Sequence, residues 1–262
     1  MKLEDFLVSL AAMAKRKGIS EPFVVGGYPR NCALGLAPKD HAGDIDMTTG
    51  DAGSTALAME ASRAWPSAHF RSYDDGHTSL QFQNLRVDFS NNFKLPGIDG
   101  MLAEKGITTA SDLQREMFSR DFTVNCLLQS ADLSKEPEDP TGMAREDLDA
   151  RILRTPVDPD ATIGHDPRRI LRALKFSIRF GMKMDDELEK SIVRYRGAMT
   201  DLPFSHVKKQ VNQMLKMDPK KAIETLSKYR LLPILPLSKL MAMEMAKHRM
   251  IQHLLDGAEE MR

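Results

Sequence analysis

Two glycines, Gly26-Gly27, follow the apolar run Phe23-Val24-Val25. With no Cβ in the way, such a bend lets the backbone come close to a bulky anion and adopt a positive φ. Arg30, three residues on, could then pair with a phosphate through its fork of N–H groups. Taken alone, two glycines after a strand are also an ordinary turn. Asp44-Ile45-Asp46-Met47-Thr48-Thr49 alternates polar and apolar residues, and on a strand that pattern puts both carboxylates on one face, about 7 Å apart at Cα. Hard oxygen ligands placed so can hold Mg²⁺ while substrate phosphates complete its octahedron. A paired-metal site of that kind activates an attacking hydroxyl and neutralises a leaving pyrophosphate. Asp88, within Arg86-Val87-Asp88-Phe89, would add a third carboxylate if its strand lies beside the others; otherwise it is an edge-strand charge. Asp166 and Arg169 stand three apart in a segment that reads as helix, which predicts side chains about 5–6 Å apart on one face. A carboxylate accepts from an exocyclic amino group, and a guanidinium donates to ring nitrogens or carbonyls. Cytosine and adenine offer the amino donor where uracil and guanine present a carbonyl, so such a pair would prefer C and A without a nucleic-acid template. An intrahelical ion pair is the plain alternative. Arg172 and Lys175 continue the spacing and could reach a triphosphate.

These residues need elements to hold them. Apolar residues at Leu3, Phe6, Leu7, Leu10, Ala11 and Ala14, ending at Lys15-Arg16-Lys17, predict a helix over 3–17. A strand at 23–25 leads into the glycine turn, and a second runs over 44–49. A helix suits 54–64, and His77–Phe82 and Leu85–Phe89 suit two strands joined tightly around Gln83-Asn84. The proline-rich, acidic stretch 131–161 reads as loop. From Asp166 the spacing turns helical, through Ile170, Leu171, Ala173, Leu174 and Ile178, then Val207, Val211, Met214 and Leu215. Helices over 220–232 and 238–256 complete the chain. The expected fold class is α+β: a mixed catalytic head over 1–150, then an all-helical neck and short body over 151–262 that recognises the base and binds RNA.

In order and spacing, these motifs resemble the nucleotidyltransferase superfamily to which DNA polymerase β belongs, whose signature is Gly-Gly, a spacer, then Asp-x-Asp. More narrowly, Phe23–Arg30 and Gly43–Thr49 resemble the opening motifs of class II CCA-adding enzymes and bacterial poly(A) polymerases. Ser119-Arg120-Asp121-Phe122-Thr123-Val124-Asn125 is similar to that family's Arg-Arg-Asp-Phe-Thr-hydrophobic-Asn motif. Asp139-Pro140-Thr141-Gly142 with Ile152-Leu153-Arg154 resembles the head–neck linker, and His165-Asp166-Pro167-Arg168-Arg169 resembles the Glu-Asp-x-x-Arg template helix. The resemblance implies Mg²⁺ held by Asp44 and Asp46, with Asp88 completing the catalytic carboxylates. It implies a triphosphate positioned by Gly26, Gly27, Arg30, Arg120 and Asp121, and a base read by Asp166 and Arg169 beside Arg172 and Lys175. The implied reaction adds CMP and AMP from CTP and ATP to the 3′ end of tRNA. Poly(A) tailing, addition of only part of CCA, and a non-catalytic RNA- or partner-binding remnant stay open. Asn31, Ser119 and His165 stand where family members usually have Asp, Arg and Glu. Family members also carry longer body and tail regions, which implies a smaller RNA-holding surface here.

Composition agrees with this outline. The 262 residues are 42% hydrophobic and 28% charged, ordinary for a globular chain. No apolar run nears the ~20 residues that cross a bilayer, which predicts no membrane association. The N-terminal stretch has no cleavage-like site, and with two cysteines only, the expected compartment is cytoplasmic. Residues 1–150 hold 15 basic against 23 acidic side chains and residues 151–262 hold 22 against 14, as expected for a metal-using site ahead of a polyanion-gripping surface. Aromatic residues are 6%, which disfavours an RNA-binding sheet of stacked rings. Met241, Met243, Met245 and Met250 read as packing of the final helix or, alternatively, as a plastic contact surface.

Overall fold

The computed structural model describes residues 2–36, 43–82 and 84–235. Helix α1 (Leu3–Lys17) buries Phe6, Leu7, Leu10, Met13 and Ala14. It carries Glu4 and Asp5 in its first turn and Lys15, Arg16 and Lys17 in its last, matching both ends of the helix dipole. Next come β1 (Phe23–Val25), α2 (Gly27–Ala33), β2 (Gly43–Thr48) and α3 (Gly53–Ala64). The strands β3 (His69–Ser72), β4 (Thr78–Gln81) and β5 (Leu85–Phe89) follow, then α4 (Ile98–Glu104), α5 (Asp112–Phe118) and β6 (Gln129–Ser130). The six strands form one sheet in the order β3-β4-β5-β2-β1-β6, with β2 and β5 parallel and every other pair antiparallel.

One face of this sheet is the core. Val24, Ile45, Met47, Leu80, Val87 and Phe89 pack there against Phe6, Leu7 and Leu10 of α1 and Leu57, Ala58 and Ala61 of α3. Each large side chain removed from water adds roughly 1.5–3 kcal/mol. Because side chains alternate along a strand, burying Ile45 and Met47 forces Asp44 and Asp46 onto the opposite face, where both are exposed. On that second face Phe23 and Val25 are covered by Met117, Cys126 and Leu128.

Asp51 secures the exit from β2. Its carboxylate accepts from Ser20 Oγ (2.6 Å), Thr49 Oγ1 (2.7 Å) and the Gly53 amide (2.8 Å). Burial alone would raise its pKa, but these donors outweigh that and hold the carboxyl below its usual range. A folded pKa below the unfolded one gives stability that is present at neutral pH and lost as the pH falls through the acid range. Urea melts should therefore show Asp51→Asn less stable than the natural chain at pH 7, with the gap narrowing toward pH 3.

The remaining elements are α6 (Ala144–Asp149), β7 (Ile152–Leu153), α7 (Pro159–His165), α8 (Arg168–Phe180), β8 (Lys183–Met184), α9 (Asp186–Tyr195), α10 (Phe204–Met217) and α11 (Pro219–Lys228). Residues 131–161 are therefore not a plain loop: they hold α6, β7 and the start of α7, with β7 paired in parallel to β8. The chain divides into two compact units, one running through His165 and including Lys183–Leu188, the other comprising Asp166–Met182 and the residues from Glu189 on. Residues 151–165 thus pack with the first unit. In the second, α8 buries Ile170, Leu171, Ala173, Leu174, Phe176, Ile178 and Phe180, and α10 buries Val207, Val211 and Met214. The expected helix over 238–256, with its methionines, lies outside the described residues. Among the described residues no helix is long and apolar enough to cross a membrane.

Candidate active site

The glycine bend and the aspartates meet. Val25 of β1 pairs with Asp46 of β2, which brings the next residue, Gly26, against the Asp46 carboxylate. Gly26 has φ +71° and ψ −119°, a conformation that side chains rarely adopt. A Cβ at Gly26 would lie 2.8 Å from Asp46 Oδ2 and 3.3 Å from Arg120 Nη1. The missing side chain is what lets carboxylate and guanidinium approach this backbone.

Across the sheet, parallel pairing of β2 with β5 sets Asp46 opposite Asp88 and Asp44 opposite Arg86. Asp88 is half-buried and bound by Arg86, with Oδ1 3.0 Å from Nε and 2.9 Å from Nη2. The third carboxylate is present but engaged. Among the described residues no three His, Cys, Asp or Glu side chains form a metal cage by themselves. A cavity of about 370 Å³ opens over this face, lined by Asp46, Asp88, Ser90, Asn91 and Arg120, with Asp75 and His77 of the β3–β4 turn. Asp75 accepts from His77 Nδ1, and the His77 ring stacks on Tyr73 at 3.9 Å between centroids.

Arg30 and Asp121 do not line this cavity. Arg30 is buried, donating from Nη1 to Asn125 Oδ1 (2.6 Å) and from Nη2 to Asn31 Oδ1 (2.9 Å). Asn125 in turn donates to Asp121 Oδ1 (2.8 Å), which also accepts from the Phe122 amide (3.0 Å). The hydrogen bonds of Arg30 tie α2 to the 121–125 segment, with Nη2 beside Gly27. Asn31 keeps an acceptor for that arginine without a charge. Ser119 is buried, accepting from the Leu95 amide (2.8 Å) and donating to Arg115 O (2.7 Å). His165 stacks on Phe93, centroids 5.1 Å apart.

The base-reading candidates lie in the second unit, and their local geometry corrects the expected one. Helix α8 begins at Arg168, so Asp166 precedes the helix and does not share a helical face with Arg169. Asp166 accepts from the Arg168 amide (3.1 Å) and takes both Nε (2.7 Å) and Nη2 (3.0 Å) of Arg168. Pro167, which has no N–H to donate, directly precedes the helix. Burial would raise the Asp166 pKa, but the Arg168 contacts outweigh it and keep the group a carboxylate. Arg169 is buried and Arg172 is exposed. Lys175 donates to Gln210 Oε1 (2.8 Å) and Gln213 Oε1 (3.2 Å) of α10, so its ammonium is partly committed within this unit.

One residue went unread in the sequence. Glu116, on α5, is buried and accepts from the hydroxyls of Thr48 and Ser90, each at 2.6 Å, with Arg120 Nη2 3.7 Å away. One sequence signal for it is a Glu–Arg pair at i, i+4.

A mixed sheet thus sets a glycine bend against an aspartate of the neighbouring strand. No protein-family model matches the chain. The CC-adding tRNA nucleotidyltransferase of Shouchella clausii is 31% identical over 200 residues, covering 75% of this chain and 44% of that protein. Poly(A) polymerase I of Escherichia coli is 28% identical over 202 residues, covering 70% of this chain and 39% of that one. In fold, the CCA-adding enzyme of Bacillus stearothermophilus in complex with CTP matches with a TM-score of 0.70 at 21% identity, over 90% of this chain and 55% of that one. The chain belongs to the family of CCA-adding enzymes and bacterial poly(A) polymerases. It spans less than half the length of the curated relatives named above.

Proposed function

We propose that the chain is a template-independent RNA nucleotidyltransferase that adds CMP and AMP from CTP and ATP to the 3′ end of tRNA, in CCA addition or repair. The observation that carries this reading is the Asp46 carboxylate resting against the bare backbone of Gly26 beside Arg120. Asp44 and Asp46 would hold Mg²⁺. Their carboxylate oxygens, on one exposed strand face, are the hard donors which that ion takes alongside waters and substrate phosphates. When bound, Mg²⁺ supplies charge neutralisation on the phosphates and activation of the attacking hydroxyl. Asp88 adds its charge to the same face and, through Arg86, braces β5. Arg120 faces the triphosphate from the glycine side, where the missing side chain of Gly26 leaves it room and Gly27 opens α2. The RNA 3′-hydroxyl loses its proton to water as its oxygen bonds to the α-phosphorus and the bond from that phosphorus to the pyrophosphate oxygen breaks, in line.

The division of labour follows the two units: catalysis in the head, residues 1–150 with 151–165 packed on it, and base recognition and RNA binding in the helical residues from Asp166 on. Arg30 and Asp121 act from behind the bend, as its buried support. Asp166, an acceptor-only carboxylate, suits the amino group that cytosine and adenine share, with Arg169, Arg172 and Lys175 nearby in sequence. Asp166→Ala is expected to loosen the choice among the four NTPs by about tenfold, the scale of one lost hydrogen bond to a charged group. Single-nucleotide incorporation with each NTP checks this, and unchanged selectivity removes the template role. The two free cysteines, one of them exposed, fit a reducing, cytoplasmic setting.

A second reading, addition of CC alone, is favoured by the names of the Halalkalibacterium halodurans and Shouchella clausii relatives. One experiment separates the readings: Mg²⁺, tRNA lacking its 3′ end, and each labelled NTP separately and together. CCA addition predicts CTP and ATP incorporation that stops at a fixed length. CC addition predicts CTP alone, tailing predicts an ATP ladder, and a non-catalytic remnant predicts bound RNA with no incorporation.

A further inference from the structure

We infer that Glu116 is a positioning residue of the nucleotide site, acting through Arg120; this rests on the nucleotidyltransferase reading above. The sheet register supplies the first part of the argument. Thr48 lies two residues beyond Asp46 on β2, and Ser90 lies two residues beyond Asp88 at the end of β5. By strand alternation both therefore share the carboxylate-bearing face. Glu116 takes the hydroxyls of both, one on each carboxylate oxygen, at 2.6 Å. It thereby ties together the ends of the two strands that carry Asp46 and Asp88. Those hydroxyls are themselves fixed: Thr48 Oγ1 accepts from the Gly50 amide (2.9 Å) and Ser90 Oγ from the Asn92 amide (3.0 Å).

Arg120 supplies the second part. Its two terminal nitrogens face different partners, Nη1 toward the backbone of Gly26 and Nη2 toward Glu116, and the residue lines the cavity with Asp46 and Asp88. Glu116 is one turn upstream on the same stretch of chain. A buried carboxylate 3.7 Å from Nη2 draws that end of the guanidinium by charge and so biases the other end toward Gly26 and the anionic substrate that the cavity would admit. The carboxylate that anchors the catalytic strands is thus also the one that aims the arginine.

A purely structural acid would lower the melting temperature without coupling to Arg120. A double-mutant cycle on the full chain decides this, using Glu116→Gln, which keeps the volume and one acceptor oxygen, Arg120→Lys, and both together. Equilibrium binding of CTP and ATP by titration, and melting temperature, are read for all four proteins. The expected result is a roughly tenfold weaker nucleotide dissociation constant in Glu116→Gln, with the double variant no weaker than Arg120→Lys alone. Effects that multiply independently, or a melting-temperature change with unaltered binding, overturn the inference. If Glu116→Gln fails to fold, Glu116→Asp replaces it in the cycle under the same criteria. A natural chain that binds neither nucleotide overturns the parent reading along with this one, whereas binding with independent effects overturns this one only.

Discussion

Asp46→Ala is expected to abolish nucleotide transfer while leaving the fold in place. The side chain is exposed and contributes nothing to the Ile45–Met47 core face, so its removal should leave the melting curve within a few degrees of the natural chain. What is lost is a carboxylate that sits where phosphate charge would be handled. Removing one preorganised electrostatic group at such a position costs on the order of 10²–10³-fold in kcat, and a metal-holding group stands at the upper end. Asp44→Ala, on the same strand face, is expected to act alike. Asp88→Asn is expected to be milder, because Arg86 already holds that carboxylate at 2.9–3.0 Å. Labelled CMP incorporation at saturating CTP and Mg²⁺, read beside thermal melts, checks the set. Transfer surviving in Asp46→Ala would rule out the carboxylate chemistry proposed here.

The parts legible in the sequence share a physical basis: they are long enough to repeat. The helix over 3–17 is found at Leu3–Lys17 because five buried positions recur at helical spacing and Gly18 stops it. Likewise, the alternation of Asp44, Ile45, Asp46 and Met47 placed the carboxylates on one face because one face of β2 is core. Most of the elements missed are short, α9 with ten residues being the exception. Helices α4 and α5 have seven residues each and β7 and β8 two each, too few for a period to emerge. For α5 a local sign was there to read, the capping box of Ser111 and Gln114, and it would have pointed to Glu116. Two site residues have partners that the sequence does not display. Arg30 and Lys175 carry charges that a sequence displays, while their hydrogen bonds run to side-chain amides of Asn31, Asn125, Gln210 and Gln213, residues distant in sequence or chemically quiet. Asp166 stands before the helix start at Arg168 and is bound by Arg168, while Arg169 also acts on it by charge. Tertiary partners of this kind leave no period and no spacing.

The glycine bend offers the sharpest contrast between neighbouring positions. Gly26→Ala is expected to damage both stability and catalysis, and Gly27→Ala is expected to do little. At Gly26, φ is +71° and a Cβ would fall 2.8 Å from Asp46 Oδ2. A non-glycine residue held in so sparse a region costs about 1–3 kcal/mol; for a chain of this size that lowers the melting temperature by roughly 2–4 °C per kcal/mol. Nothing but displacement can relieve the contact, and what must move is Asp46 itself or the backbone that faces the triphosphate. A shift of about 1 Å in a positioned catalytic group can cost ~10²-fold in rate, so kcat/KM should fall by about that factor beyond any loss of folded protein. At Gly27 the nearest atom to an added Cβ is Arg30 Nη2 at 3.5 Å, ordinary van der Waals contact, and the residue begins α2 with helical geometry. Gly27→Ala should therefore keep kcat/KM within a few-fold of the natural chain, with a melting temperature little changed. Measuring both variants in one transfer assay, normalised to folded protein by circular dichroism, separates approach of the backbone to Asp46 from a general need for glycine in the turn. Equal losses at the two positions would mean that the bend matters only as a turn, and that the Asp46–Gly26 contact has no part in the chemistry.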